Sequence, residues 1–159
     1  MLKPAQLYRD EVTKKYVETW YDLKYMWYYT HGCEELKLPD SNYEKHNFVC
    51  VNSGDAVTGY FSYSIDWRAK SIYSVGAMSF VDNNVLFMRD ILNHFKDMFE
   101  NHNIQRLEFW AYTDNPVNKT YSKLVSKFGG REVGILRKSN MAMDGKLHDT
   151  VIYEILKED

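Results

Sequence analysis

The amino-acid sequence predicts a single α+β domain whose mixed, mostly antiparallel twisted sheet is flanked by helices. Short extended runs separated by turn residues predict a meander in the middle of the chain. Two segments with apolar residues at helical spacing follow, with a strand between them. The chain closes on two extended runs that meet at Asp144-Gly145, a dipeptide suited to a tight hairpin turn. A length of 159 residues is enough for one domain with its own core, so residues 1–159 are expected to form one domain.

The N-terminal third predicts a short strand and a helical segment. Met1–Lys3 is at most a remnant of a first strand. Apolar residues recur from Leu7 to Tyr28 without Gly or Pro, which predicts helix with a break near Asp22. Most members of an aromatic cluster in this stretch are expected in the core, and only those that face the sheet edge are candidates for contact with an acceptor. The cluster comprises Trp20, Tyr21, Tyr25, Trp27, Tyr28 and Tyr29. Cys33–His46 is predicted to be a loop.

The predicted meander consists of the strands Phe48–Val51, Val57–Ile65 and Ile72–Phe80. Asn52–Asp55 forms the turn between the first two strands. Gly59 falls inside the second strand, where glycine weakens the strand and indicates a bulge or a closely packed neighbour.

Amphipathic spacing predicts a helix from about Val85 to Glu100, and the aromatic-rich run Leu107–Tyr112 then predicts a strand. A second helix follows from Val117 to Phe128. Asp114-Asn115-Pro116 precedes it with a capping side chain and a proline suited to a first helical turn. Gly129-Gly130 then supplies residues able to adopt the left-handed conformation that ends a helix.

The last predicted elements are the extended runs Val133–Met143 and Leu147–Leu156, on either side of the Asp144-Gly145 turn. The sequence therefore predicts that the chain ends on an antiparallel pair of strands.

Composition excludes several classes of function. A net charge of −2 gives no basis for sequence-independent nucleic-acid binding, which depends on clustered Lys and Arg. The thirteen tyrosines lack a basic frame, so core and pocket lining are expected rather than base stacking. Cys33 and Cys50 lack metal-ligand spacing, so no metal site is expected. The absence of a leader or a membrane-length apolar run predicts a cytoplasmic protein without membrane contact.

The order of elements after Arg106 resembles the C-terminal half of the GNAT acyl-CoA-dependent N-acetyltransferases, and most closely the branch that contains the ribosomal-protein alanine acetyltransferases. Asn118 stands at the family's interval before the helix-ending Gly129. The terminal hairpin carries the matching residues Gly134, Arg137, Asp144-Gly145, Asp149 and Tyr153. The pattern from Gly54 to Tyr60 is similar to the hairpin between the second and third strands of the family.

The resemblance implies that acetyl-CoA binds where the sheet splays between Ile72–Phe80 and Leu107–Tyr112. The cofactor-contact positions that it implies are Phe80, Val81, Asn84, Arg89, Asn115 and Asn118. Asn118 is also a first-turn helix position at which Ala is expected to be tolerated. The family places two glycines before the helix that binds the pyrophosphate, whereas residues 81–89 contain none. Asn83 and Asn84 tolerate left-handed geometry better than other non-glycine residues.

The resemblance also implies direct attack of an amine on the thioester, with a tyrosine that protonates the leaving thiolate. The family position of that tyrosine falls on Val125. Tyr121, one helical turn earlier, is therefore the candidate acid, with Tyr112 in reserve. Glu108 is the candidate base, with Asp66 and His94 as alternatives; an amine that deprotonates easily needs only a water.

The function implied is N-acetyl transfer from acetyl-CoA to a primary amine of a small molecule or peptide. The alternative is a catalytically weak or silent domain of the same fold that binds acyl-CoA or a protein. The missing glycines and the valine at position 125 favour that alternative. The expected partners are acetyl-CoA and an amine, and a homodimer is compatible with both readings.

Overall fold

The computed structural model describes residues 1–28, 35–40 and 45–157. Its strands are β1 (Leu2–Pro4), β2 (Lys45–Val51), β3 (Val57–Asp66), β4 (Ser71–Ser79), β5 (Arg106–Tyr112), β6 (Arg131–Met141) and β7 (Leu147–Leu156). Its α-helices are α1 (Arg9–Glu18), α2 (Val85–Asn101) and α3 (Asn118–Lys127). Short 3-10 turns span Ala5–Tyr8 and Leu23–Tyr25. Within these residues the strands form one sheet of seven, in the order β1-β2-β3-β4-β5-β7-β6, and the predicted α+β class is confirmed.

The predicted strands and the helices α2 and α3 are recovered to within three residues at each end. The predicted loop Cys33–His46 is correct for residues 35–40, but Lys45 and His46 belong to β2. The rest of that loop, and Tyr29 of the aromatic cluster, lie outside the described residues.

The long N-terminal helix was predicted wrongly. α1 ends at Glu18, and the chain from Trp20 to Tyr28 forms turns and a short 3-10 segment. The side chain of Asp22 accepts a hydrogen bond from the Lys24 backbone N–H at 2.9 Å, which starts the 3-10 turn and competes with a continuing α-helix. Asp22 therefore marks a change of structure, as the sequence indicated, but no α-helix resumes between it and Tyr28.

The core has a layer on each face of the sheet. The larger layer lies under α2 and α3, where Phe61, Tyr63, Ile72, Phe95 and Tyr153 are buried. The smaller layer lies under α1 and includes Val12, Val49 and Tyr60. The sheet is thus covered by two helices on one face and by α1 with the following turns on the other.

Gly59 illustrates the close packing that its position in β3 predicted. A Cβ atom at Gly59 would lie 3.1 Å from three ring atoms of Phe87, a buried residue in the first turn of α2. The absence of a side chain at Gly59 therefore lets the start of α2 rest directly on β3.

Strands β4 and β5 run parallel but separate after their first residues. They are in register only at Ser71–Arg106 and Ile72–Leu107, whereas β5 stays paired with β7 along its whole length. Ser74 takes a φ of 51° where the pairing of β3 with β4 is irregular. Beyond Ile72 the sheet therefore has a gap between β4 and β5, which is the splay that the sequence resemblance implies.

Candidate functional site

Among the described residues, the backbone of β4 presents polar groups without a strand partner to the gap. The Phe80 N–H donates to the Thr58 carbonyl oxygen at 2.9 Å, which directs the backbone groups of Phe80 toward β3. Backbone groups alternate in direction along a strand, so those of Ala77 and Ser79 point the other way, into the gap. These N–H and C=O groups form an edge to which an extended chain with amide groups is able to add.

A cavity of about 480 Å³ lies on the helix side of this gap, between α2 and α3. Val75, Ala77 and Phe109 line it from the sheet. Its walls on α2 are Met88, Ile91, Leu92, Phe95, Lys96, Phe99 and Glu100, and those on α3 and its end are Tyr121, Leu124, Lys127 and Phe128. The cavity is thus mainly apolar and opens directly onto the splayed strands.

A second cavity, of about 240 Å³, lies on the opposite face of the sheet. Tyr16 and Tyr28 line it from the α1 side, Tyr60 from β3, and Glu35 from the segment 35–40. Ala77 lines both cavities, so the two adjoin across β4. This arrangement admits one ligand from each face of the sheet, with their reacting groups brought together beside Ala77.

The first turn of α2 offers one open amide. The side-chain oxygen of Asn84 caps the helix by accepting from the Phe87 N–H at 3.2 Å, and its amide donates to the Thr58 carbonyl oxygen at 3.0 Å. The Val85 N–H donates to the Asn83 carbonyl oxygen at 2.8 Å. The Leu86 N–H has no partner among the described residues. A helix N-terminus attracts anions through such amides and its dipole, but Asn84 leaves a narrower site than a glycine-rich loop would.

Arg89 lies on the exposed side of the first turns of α2. One of its guanidinium nitrogens lies 3.2 Å from a carboxylate oxygen of Asp90, and the other oxygen of Asp90 lies 2.6 Å from the amino group of Met1. The side chain of Arg89 is 61% exposed, so it is accessible to an anion at the start of α2.

Phe80 and Val81, which the resemblance also implies as cofactor positions, do not direct their backbone groups into the gap. The backbone N–H of Phe80 is bound to β3, and its side chain packs in the core under α1. The carbonyl oxygen of Val81 accepts from the Ser79 hydroxyl at 2.6 Å. The residues whose backbone faces the gap are Ala77 and Ser79, which lie slightly earlier in β4.

Asn115 and Asn118 hold the connection from β5 to α3. The Asn115 side-chain oxygen accepts from the Val117 N–H at 3.0 Å within the turn before α3, whereas the N-cap position of α3 is Val117 and has no side-chain cap, so the predicted cap is not formed. The Asn118 side-chain amide donates to the carbonyl oxygens of Tyr112 at 2.7 Å and Thr113 at 3.0 Å. Both hydrogens of the Asn118 amide are thus engaged with the end of β5.

Tyr121 lies on α3 where the larger cavity meets the gap. Its ring packs edge-on against Phe109 at 4.9 Å and against Tyr153 at 5.8 Å between centroids. Burial raises the pKa of Tyr121 to about 12, with smaller contributions from Tyr28 and Tyr153, so its hydroxyl carries its proton at neutral pH. Val125 is 4% exposed and packs in the core layer under α2 and α3, so a tyrosine at 125 would have to displace its neighbours.

The other acid and base candidates are engaged elsewhere. Glu108 accepts from Arg106 at 2.6 Å, and the Tyr112 hydroxyl donates to the Met141 carbonyl oxygen at 3.1 Å. Among the described residues, neither Glu108 nor Tyr112 is a lining residue of the two cavities. Asp66 accepts from backbone N–H groups in the turn before β4, and His94 is hydrogen-bonded to Tyr63 at 2.7 Å.

Sequence reasoning missed three residues of the site, which are Ala77, Ser79 and Glu35. Ala77 and Ser79 act through backbone direction, which no side-chain pattern reveals. Glu35 falls in a segment predicted only as a loop, without periodicity or a motif to single it out. Tyr28 belongs to the predicted aromatic cluster, but its place beside the gap depends on the turns that replace the expected helix.

Comparison with solved structures identifies the fold. A GCN5-related N-acetyltransferase from Brucella melitensis matches with a TM-score of 0.71 at 18% identity, covering 98% of this chain and 75% of its own. A variant of spermidine N-acetyltransferase from Vibrio cholerae matches with a TM-score of 0.60 at 18% identity, covering 73% and 68%. The ribosomal-protein-S5-alanine acetyltransferase from Vibrio fischeri matches at 0.59 and 20%, covering 72% and 63%. No protein-family model matches the sequence, and no curated protein is similar enough to count as a relative.

Proposed function

The chain has the fold of the GCN5-related N-acetyltransferases, and from this premise we propose that it transfers an acetyl group from acetyl-CoA to a primary amine of a small molecule or peptide. The observation that carries the proposal is that two cavities adjoin at Ala77, beside an edge of β4 that lacks a strand partner among the described residues. Direct transfer needs a donor and an acceptor held on opposite sides of one reacting centre.

The donor enters from the α2 and α3 side. The pantetheine arm carries amide groups that match the free N–H and C=O groups of Ala77 and Ser79, as an added strand would. The pyrophosphate then lies at the start of α2, where the Leu86 N–H and the exposed guanidinium of Arg89 offer hydrogen bonds and positive charge. The Asn84 side chain is bound to the Phe87 N–H and to the Thr58 carbonyl oxygen, so Asn84 shapes this turn and does not contact the pyrophosphate through its side chain.

The acceptor amine enters from the α1 side, past Tyr16, Tyr28 and Tyr60. Aromatic faces and the Glu35 carboxylate offer contacts to an amine in this cavity, whose lining also includes Lys37 and Lys45. The amine must lose a proton before it attacks. A water in the acceptor cavity is the proposed base, because Glu108 is already paired with Arg106 outside both cavities.

Tyr121 is the proposed acid for the leaving group. The neutral amine attacks the thioester carbonyl carbon, the carbon–sulfur bond breaks, and the Tyr121 hydroxyl transfers its proton to the thiolate. The amide product releases its extra proton to water, and Tyr121 is protonated again from solvent. Tyr28 is the proposed second hydroxyl, because it lines the acceptor cavity and influences the pKa of Tyr121. Asn115 and Asn118 are positioning residues that fix α3 and therefore Tyr121.

A second candidate function is a catalytically silent domain that binds acyl-CoA. The observation that favours it is the Asn84 cap, which, as far as the described residues show, leaves only the Leu86 N–H open among the first amides of α2. Such a domain would still bind the donor, so binding and turnover must be measured separately.

The experiment combines calorimetry with CoA and an assay of acetyl-CoA against a panel of primary amines. We expect CoA to bind, and Arg89→Ala to weaken binding by about 1 kcal/mol through loss of a charge-assisted hydrogen bond. Arg68→Ala, in the turn before β4, is the matched control and should not change affinity. Binding without turnover would support the silent domain, and no binding at millimolar CoA to the folded protein would exclude both functions.

A further inference from the structure

The larger cavity extends well past the point where β4 and β5 come together. Leu107 pairs with both Ile72 and Ile155 at the closed end of the gap. Leu107, Ile155, Leu156 and Lys157 nevertheless line the same cavity as Ala77 and Tyr121, which lie in the open part. The cavity therefore continues below the reacting centre, toward the C-terminal ends of α2 and α3.

This lower part of the cavity, between the C-terminal halves of α2 and α3, is lined mainly by apolar side chains. Leu92, Phe95 and Phe99 line it from α2, and Leu124 and Phe128 from α3. The charged lining residues, which are Lys96, Glu100, Lys127 and Lys157, are all exposed. Phe128 is 41% exposed, which is more than its apolar character favours. The space between the two helices is thus suited to a narrow apolar group that covers these side chains.

We propose that the lower part of this cavity holds the acyl chain of a donor longer than acetyl-CoA, so that the preferred donor is a medium-chain or longer acyl-CoA. The inference rests on the proposed function, because it uses the thioester position beside Ala77. A chain attached to that thioester runs past Phe109 and Tyr121 into the space between Leu92 and Leu124. Leu92 and Leu124 then act as residues that set the donor chain length.

The chemistry of the lining favours this occupant over the other parts of the two substrates. The pantetheine arm carries amides that need hydrogen-bond partners, whereas the described residues that line the lower part are mainly apolar. The acceptor amine enters from the opposite face, through the cavity lined by Tyr28 and Glu35. An acyl chain has no polar groups beyond its carbonyl, and each methylene gains from leaving water.

Calorimetry with CoA, acetyl-CoA, hexanoyl-CoA and decanoyl-CoA tests the proposal. Burial of one methylene tightens binding by roughly fourfold, so affinity should rise steeply along the series until the chain reaches the end of the cavity. Leu124→Trp and Leu92→Trp fill the lower cavity from opposite walls. In each variant we expect the ratio of decanoyl-CoA affinity to CoA affinity to fall close to one.

Leu136→Trp is the matched control, because Leu136 is 52% exposed on β6 and is not a lining residue of this cavity. In Leu136→Trp the ratio of decanoyl-CoA affinity to CoA affinity should equal that of the parent protein. Equal affinity for all chain lengths in the parent overturns the acyl-chain site while leaving the proposed function intact, provided that CoA binds. The acyl-chain site is also overturned if Leu124→Trp and Leu92→Trp both keep a high ratio of decanoyl-CoA affinity to CoA affinity. Failure of CoA itself to bind removes the proposed function and this inference together.

Discussion

The hydroxyl of Tyr153 donates a hydrogen bond of 3.0 Å to the side-chain oxygen of Asn118. The two residues lie 35 positions apart and belong to β7 and the first turn of α3. The amide of Asn118 also holds the carbonyl oxygens of Tyr112 and Thr113 at the end of β5. The Asn118 side chain thus connects α3 with β7 and with the end of β5. Asn118 is therefore a structural residue beside the candidate site and not a solvated helix residue.

Asn118→Ala should lower the free energy of unfolding by roughly 1–3 kcal/mol, because two carbonyl oxygens and a tyrosine hydroxyl lose their partner. This reverses the expectation from sequence that Ala would be tolerated at this position. Urea unfolding of the variant measures the change. Lys119→Ala, at the exposed neighbouring position, is the control, and an equal loss in both variants would contradict the role of Asn118. Tyr153→Phe, which removes one of the three hydrogen bonds, should cost less.

His46 and His94 should make the protein sensitive to acid. Burial lowers the pKa of both imidazoles below the usual 6.5, although Asp97 partly opposes the shift at His94. The unfolded chain therefore binds these protons more readily than the folded protein does. Stability is at its full value above about pH 6.5 and is lost as the pH falls toward the lowered folded values. Unfolding midpoints measured at several pH values between neutral and mildly acidic should show this decline.

His46→Phe should reduce that decline. The His46 ring stacks on Tyr63 at 4.8 Å with an angle of 6°, and its buried Nε2 has no hydrogen-bond partner among the described residues. Phenylalanine keeps the stack and removes the polar nitrogen, so the variant should be at least as stable at neutral pH. His102→Gln changes an exposed imidazole and serves as the control. An unchanged pH profile in His46→Phe would show that His46 is not responsible.

Tyr121→Phe should lower the turnover number against the best amine acceptor by up to about 10² to 10⁴-fold, the range of general acid catalysis. A CoA thiol leaves without full proton transfer, so some activity should remain. The Michaelis constant for the donor should change little, since the ring and its contacts with Phe109 and Tyr153 are kept. Tyr73→Phe, at a tyrosine that is 42% exposed, is the control. Parent-like turnover in Tyr121→Phe would remove this residue from the mechanism.

Gly59→Ala should displace the start of α2. The added Cβ would meet the ring of Phe87 at 3.1 Å, so Phe87 must shift or strain, at a cost of about 1–3 kcal/mol in unfolding free energy. The affinity of Gly59→Ala for CoA should fall together with its stability, because the proposed pyrophosphate site is in the same helical turn as Phe87. Gly134→Ala provides the control, since no atom lies within 4 Å of its added Cβ. A stable variant with parent-like CoA binding would show that this packing does not position the helix.

The sequence predicted those features that depend on local patterns. Alternation and turn residues located the strands, and the terminal turn adopts the positive φ at Gly145 that its sequence favours. The segment after α1 was mispredicted because an aromatic run without clear periodicity gives no signal for turns. The engagement of Asn118 with Tyr153 depends on contacts between distant residues, which no local pattern contains. The edge at Ala77 and Ser79 depends on strand register, which changes at the irregularity near Ser74.

The separation of β4 from β5 has a consequence for the exchange of amide hydrogens with solvent. The Phe80 N–H is bound to β3, and the alternation of the strand gives Met78 the same direction. The Ala77 and Ser79 amides face the gap and depend on water until a donor substrate arrives. Along the four consecutive residues from Ala77 to Phe80, slow and fast exchange should therefore alternate in the free protein. Bound CoA should slow hydrogen exchange at Ala77 and Ser79 but not at Met78 and Phe80. Exchange at these four amides therefore reports whether the donor site is occupied.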